Sequence, residues 1–535
     1  MQMIKKPGNN FIKFLILFLA IIIPWIIGIV LVNKSADSEK KHPVKLVNYQ
    51  RDTIQKADHS QFEILQVDFE TPQQLTEVCL TCHNMTAQDV MKTSHWTWSK
   101  EYITDSGDTI QLGKKNNVNN FCIGVESNEA RCTSCHIGYG WEDSDFDFTD
   151  GKNIDCIVCH DQTGTYMKFP TGAGFPVQET KKFGNRTFYP PDYKVIAQNV
   201  GKPSKQNCGV CHFFGGGGNN VKHGDLASEL KEATKEVDVH MAVDGANLDC
   251  IDCHKTERHN ITGNLYSIAS TNTNRVLCEQ CHTGQPHQNK IINKHTNKIA
   301  CQTCHIPAYA KVSATKMYWD WSTAGKFNED GSYLIKRDSA GNMIYHTMKG
   351  SFAWKNNVDP EYYWFNGNAR HYLLGDQTDT TNSVQLNTLL GSYDDKTAKL
   401  IPVKVHAARQ IWDPIFKTII LPHLFGKDSM AYWKNYDWNK AAEAGMKSVG
   451  LPYSGEYAFA SSEMYWPINH MVAPSEEALQ CSDCHSRESR LSNLTGFYLP
   501  GRDRSVFLDI LGFALIVIAF TGVGIHTFLR LTRNK

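Results

Sequence analysis

One five-residue pattern constrains this chain more than any other feature: Cys-x-x-Cys-His occurs eight times. The copies are Cys79, Cys82 and His83; Cys132, Cys135 and His136; Cys156, Cys159 and His160; and Cys208, Cys211 and His212. They continue with Cys250, Cys253 and His254; Cys278, Cys281 and His282; Cys301, Cys304 and His305; and Cys481, Cys484 and His485. In each copy two thiols suit thioether bonds to a porphyrin, and the adjacent imidazole suits the proximal iron position of a c-type haem. A zinc site needs four ligands grouped in space, and nothing in zinc chemistry asks for a His directly after every second Cys. A redox dithiol rarely recurs more than once or twice. The motifs take 16 of the 17 cysteines and leave only Cys122, so no disulfide framework remains. Haem c, eight times over, is the expected cofactor.

Such a chain need not build an ordinary core. Eight porphyrins supply large apolar faces, and 38 glycines suit a polypeptide that wraps stacked cofactors. The expected fold is mainly α with extensive loops, a multihaem cytochrome c arrangement around eight covalently bound haems, with a transmembrane helix at each end. Lys and Arg balance Asp and Glu at 55 each. Haem propionates would make the holoprotein acidic, and nothing points to nucleic-acid binding.

Phe11–Val32 is an apolar run preceded by Lys5 and Lys6, long enough to cross a bilayer and longer than a usual signal-peptide core. No A-x-A cleavage site follows, so an uncleaved anchor is expected. Val506–Leu531 is a second apolar span, followed by Arg533 and Lys535. Positive flanks at both extremes put both termini in the cytoplasm, with the body in the periplasm of a bacterial inner membrane. His526, inside the second span, is a candidate haem b ligand or quinone contact shared with a partner subunit, or an imidazole snorkelling at the interface.

The chain divides accordingly. Residues 1–35 form an anchor, 36–75 a linker, and 76–310 a core with seven attachment sites. Residues 311–475 carry no motif but many aromatics, which are expected to cover haem faces and close a core. Residues 476–503 hold the eighth site, and 504–535 the second span. The eighth haem, nearest the membrane, is expected to receive electrons from it.

An iron with two strong axial ligands only passes electrons, whereas catalysis needs an open or displaceable sixth position. The expected distal ligands are His95, His223, His240, His259, His287, His295 and His470, with His371, His406 and His423 behind them. The most unusual stretch follows the fourth site, where Gly215–Gly218 precedes Asn219-Asn220-Val221-Lys222-His223-Gly224-Asp225-Leu226. Four glycines free the backbone to run flush against a porphyrin or to leave a cavity. Lys222 is then placed to reach an iron as a neutral amine, because desolvation lowers a Lys pKa.

Three stretches carry a family likeness: Phe121-Cys122-Ile123 through Arg131-Cys132-Thr133-Ser134-Cys135-His136-Ile137-Gly138-Tyr139-Gly140-Trp141; Asp155-Cys156-Ile157-Val158-Cys159-His160-Asp161; and Val221-Lys222-His223-Gly224-Asp225-Leu226. From about residue 75 to 490 the chain resembles the octahaem tetrathionate reductases. That resemblance implies that the haem at Cys132, Cys135 and His136 is catalytic, with Lys222 as its distal ligand and Cys122 near the iron. The family pattern has an acid three residues before the Lys. Asn219 stands there in this chain, which puts a proton-donating role in doubt.

The expected function is a membrane-anchored periplasmic reductase that passes electrons from a quinone-linked cytochrome b-type subunit to a small anion. Tetrathionate is favoured, because its two-electron cleavage to thiosulfate needs no proton. Nitrite and hydroxylamine, which do need protons, are expected to react more weakly. The alternatives are hydroxylamine oxidation and a non-catalytic electron conduit.

Overall fold

Each attachment motif sits on a single helical turn, where thiols three residues apart share one face. Local capping explains why such short turns form at these places. The helix Pro72–Cys82 has Thr71 accepting from the Gln74 N–H while the Gln74 side chain answers the Thr71 N–H, and Pro72 occupies its first position. Ser204 and Asn207 close the same reciprocal box at Lys205–His212, as do Asp249 and Asp252 at Cys250–Cys253. Ile157–His160 and Cys301–His305 are also one-turn helices, and Glu129–Cys132 tightens into a 3-10 turn over Thr133–Cys135.

The computed structural model describes residues 57–533 apart from 105, 122, 123 and 265–270, with isolated positions 18, 22, 23 and 26 before them. The expected anchor at 1–35 and Cys122 therefore lie outside the described residues. The described chain forms two compact units, which divide between Ala478 and Leu479.

The expectation of a mainly α, loop-rich body fails at residues 311–475, which fold as a nine-stranded sheet. Its axis is the strand Lys399–Asp413, which pairs antiparallel with Ala458–Pro467 from Val403 opposite Pro467 to Trp412 opposite Ala458. On its other edge it runs parallel to Thr315–Asp320. The aromatic and β-branched residues that read as haem covering are strand formers with both sheet faces to fill. Trp319, Trp321 and Trp466 are fully buried among them. The helix Trp438–Ser448, capped by Asp437, closes one face with Trp438, Ala441, Ala442 and Met446. Gly445 is required there, since a Cβ would stand 1.8 Å from the Leu421 carbonyl oxygen.

This sheet positions the loops that matter for function. Phe121 and Val221 belong to the same buried cluster as Trp319 and Trp466. The residues before Cys122 and Lys222 are thus both anchored in the sheet core.

The smaller unit, Leu479–Lys535, carries the eighth motif on the turn Cys481–Cys484, capped by Gln480 and Asp483. Its last helix, Val506–Thr532, has 27 residues and is apolar and exposed. At 1.5 Å per residue it measures about 40 Å, enough to cross a membrane. His526 lies on it and is exposed.

A buried polar knot ties the second and third attachment turns together. The Asp155 carboxylate pairs with Lys168 at 3.0 Å and accepts from the hydroxyls of Tyr139 and Tyr166, each at 2.8 Å. Lys168 also donates to the carbonyl oxygens of His136 and Gly138. Removing one partner strands a charge in the interior, so Lys168→Met should cost about 3–5 kcal/mol in chemical denaturation. The exposed pair of Lys152 and Glu77 serves as the control, and Lys152→Ala should leave the midpoint unchanged.

Candidate functional site

Six motif histidines in the larger unit each face a second imidazole. The pairs are His83 with His59, His160 with His259, His212 with His95, His254 with His470, His282 with His240, and His305 with His287. Their ring centroids lie 6.0–6.5 Å apart. An imidazole nitrogen binds a first-row metal at about 2 Å, with the ring centroid about 1.2 Å behind it, so two rings sharing one iron stand about 6.4 Å apart. Rotation about the common axis is free in such a pair, and the interplanar angles accordingly range from 8° to 71°.

The hydrogen bonds fit the same chemistry. His160 and His254 meet the carbonyl oxygens of Gly201 and Thr262 through Nδ1, at 2.8 and 2.7 Å. In the smaller unit His485 does the same with Pro500 at 3.1 Å. A carbonyl on one nitrogen fixes the tautomer and leaves Nε2 with a lone pair for a metal. Burial works in the same direction, holding His95 down at about 4 and His212 at about 3, so both rings are neutral. These residues fit haem c.

The thiols order the attachment sites. Cys79 hydrogen-bonds Cys156, Cys135 bonds Cys211, Cys208 bonds Cys250, and Cys278 bonds Cys301. Cys281 also acts electrostatically on Cys253. Sites one and three, two and four, four and five, and six and seven are therefore neighbours, with five beside six.

His136 departs from this pattern. Among the described residues no imidazole faces it. Its ring is fully buried and enclosed by Trp96, Trp98, Trp141, Phe146 and Phe148. Nε2 meets the Trp96 carbonyl oxygen at 2.7 Å, and Nδ1 has no partner. Positive charge surrounds this box. The Lys114 Nζ lies 4.1 Å from the Trp98 ring centre, and the Lys115 Nζ 3.4 Å from that of Phe148. Burial first, then the charges of Lys168, Lys114 and Lys115, outweigh the Trp96 carbonyl and hold His136 down at about 3. Lys114, Lys168 and Lys222 also lie within electrostatic reach of Cys135.

The glycine loop folds back on itself rather than trailing as a linker. Asn220 N–H donates to the Phe213 carbonyl oxygen at 3.0 Å, and at Gly216, with φ of +80°, a Cβ would meet Val221 at 2.9 Å. Buried Lys404 grips the return limb, donating to the carbonyl oxygens of Val221 and Lys222 at 3.0 and 2.9 Å. The Lys222 ammonium ends 4.7 Å from the centre of the Trp466 ring. Asn219 donates to the Glu229 carboxylate at 3.2 Å and to the Ser313 hydroxyl at 3.0 Å, and accepts from the Ser228 N–H. Asn219 is therefore a structural tie within the loop base.

Of the expected distal histidines, the structure brings His95, His240, His259, His287 and His470 opposite motif histidines. His223 is not so placed, because its ring packs edge-on against Trp466 at 5.0 Å. His295 ends the helix Lys290–His295. His59, which sequence reasoning missed, faces His83 from the segment read as a linker; nothing but its being a histidine marked it. Other polar groups engage the remaining candidates. His371 lies 3.4 Å from the Asn117 amide, His406 2.9 Å from Asn120 Oδ1, and His423 2.9 Å from Asp428.

Residues 207–283 match the family described as cytochrome c554 and c-prime, and residues 316–488 the family described as bacterial cytochrome c. An uncharacterized protein of Archaeoglobus fulgidus is 26% identical over 222 residues, 34% of this chain and 74% of its own length. The crystal structure of octahaem cytochrome c from Shewanella oneidensis is 45% identical, covers 81% of this chain and 95% of that one, and superposes with a TM-score of 0.73. Identity at that level over nearly the whole Shewanella chain reaches past a shared fold, and this chain belongs to the octahaem c-type cytochromes.

Proposed function

We propose that this cytochrome carries eight haems c and is a periplasmic reductase of tetrathionate, anchored in the inner membrane and supplied with electrons by a quinone-linked cytochrome b-type subunit. The observation that carries this reading is the second attachment site. Six motif histidines of the larger unit face a partner imidazole, and His136 faces none while four lysines surround its site. In this reading the second site is the catalytic one and the others are relays, with His59 joining the expected histidines as a distal ligand.

When bound, haem c supplies one-electron redox centres and, at the second site, an iron position that a weak ligand can vacate. The protein supplies the rest. Lys222, on a loop fixed by Lys404 and the sheet core, presents an amine that substrate can displace. Lys114 and Lys115 provide the potential that draws in a dianion. The aromatic box of Trp96, Trp98 and Trp141 closes around His136 and keeps water from its ring. Cys122 is assigned beside the iron by family resemblance alone.

Tetrathionate fits what these groups can do. Two electrons enter its central S–S bond, the bond breaks, and two thiosulfate dianions leave with no proton consumed. Reduction of nitrite to ammonium takes six electrons and eight protons, and Asn219 cannot donate one in this range. Nitrite and hydroxylamine should therefore be poorer substrates. Electrons would arrive through the eighth site, which precedes the apolar helix Val506–Thr532 by some 20 residues.

The first test is an anaerobic viologen-linked assay of purified holoprotein with each of the three substrates. Tetrathionate should oxidise the dye fastest, and Lys222→Ala should lower that rate by about 100-fold or more. Reduced protein should bind carbon monoxide at one haem. A protein that oxidises the dye with none of the substrates and binds no carbon monoxide is a conduit, and this reading fails.

Two further outcomes follow from charge and from the membrane. Lys114→Ala should raise KM for tetrathionate with little change in kcat, and the effect should shrink as salt rises past 0.15 M, where screening acts within about 8 Å. Deleting residues 504–535 together with 1–35 should release the cytochrome from membranes in a fractionation assay, whereas retention of the double deletion would refute the two-anchor assignment.

A further inference from the structure

His470 meets a charged group directly, where His160 and His254 meet neutral ones. At His160 and His254 the outer nitrogen contacts a backbone carbonyl. At His240 the carboxylate of Asp238 stands 3.9 Å away, beyond hydrogen-bond reach. His470 Nδ1 lies 3.1 Å from Oδ2 of Asp225, and the same oxygen accepts the N–H groups of Asn469 and His470 at 2.8 and 3.0 Å. Asp225 is only 2% exposed, so water does little to screen its charge.

The carboxylate is also held in place. Gly224, with φ of +88°, lets the chain turn where a Cβ would meet the Tyr309 ring at 2.7 Å and the Lys404 stem at 3.2 Å. Lys404 in turn binds the carbonyl oxygens of Val221 and Lys222. The charge at Asp225 is therefore fixed relative to the loop that carries Lys222.

Its location gives it consequence. His470 faces His254 of the fifth attachment site, and Cys250 and Cys253 link that site to the fourth and sixth through Cys208 and Cys281. On these links the fifth site stands between the fourth and the sixth. A carboxylate on the outer nitrogen makes an imidazole a more basic ligand, which favours ferric over ferrous iron.

We infer that Asp225 is a positioning residue that lowers the potential of the haem attached at Cys250 and Cys253, making it an uphill step between the fourth and sixth sites. The inference rests on the reading of His254 and His470 as axial partners, and the test separates the two.

Spectropotentiometric titration with parallel electron paramagnetic resonance would be run on wild-type, Asp225→Asn and His470→Met holoprotein. His470→Met should change the ligand signature of one low-spin haem and so identify its component in the titration. In wild type that component should lie at the low-potential end. In Asp225→Asn, which keeps an acceptor oxygen and loses the charge, the same component should move to higher potential while staying low-spin. If His470→Met alters one haem and Asp225→Asn moves nothing, the tuning role is overturned and the ligand reading stands. If His470→Met alters no low-spin signal, the ligand reading itself fails at this site. Should Asp225→Asn not mature with its haems, the wild-type position still decides. A component found at the high-potential end overturns the inference.

Discussion

The arrangement that everything else depends on is two imidazoles held face to face across about 6 Å. Helices of four or five residues do not persist alone in water, because nucleating a turn fixes several dihedrals for a single hydrogen bond. Here several attachment turns are capped locally, and six of them are opposed by a histidine that is often distant in sequence, such as His470 across from His254. With haem in place, two thioethers and two nitrogens fasten each such crossing. Loops can therefore make up much of the body without a large apolar core beneath each one. The carbonyl contacts at His160 and His254 are part of the same construction, since they settle which nitrogen remains available.

The sheet is the second organiser, and it acts on the site of the larger unit where, among the described residues, no histidine faces the motif histidine. Phe121 and Val221 come from loops far apart in sequence and meet in the same buried cluster with Trp319 and Trp466. Each immediately precedes a residue that family resemblance assigns to the catalytic centre. A site that must leave a coordination position open cannot rely on a second imidazole to hold its walls together. At the second site the walls are instead held by strand packing, by Lys404 under the glycine loop, and by the Asp155–Lys168 knot behind His136.

The covalent part of the site was legible in the sequence because five consecutive positions carry the chemistry. The turn caps were equally local, as in Ser204 with Asn207 and Asp249 with Asp252. What escaped depends on contacts between distant segments. His59 and His223 look alike as isolated histidines, yet one faces His83 and the other packs on Trp466. Only tertiary structure separates them. The sheet was missed for a different reason. Tyr362, Tyr363, Trp364 and Phe365 lie on a strand paired with Lys399, Leu400, Ile401 and Pro402. A run of aromatics carries no period that distinguishes cofactor packing from a strand buried on both faces.

The fixed charges around the array form a gradient with one chemical sense. Lys114 and Lys115 act on the second site, and positive charge near an iron favours its ferrous state. By the inference drawn from its contact with His470, Asp225 acts in the opposite direction at the fifth site. In the proposed reading, an electron that crosses the fifth site toward the fourth would then run downhill to the second, where the same lysines would attract an anionic acceptor. Binding and electron delivery thus call for the same sign of charge at the same place. An oxidase drawing electrons out of the second site would have to work against that potential, so the distribution of lysines favours reduction of an anion over oxidation of a neutral amine.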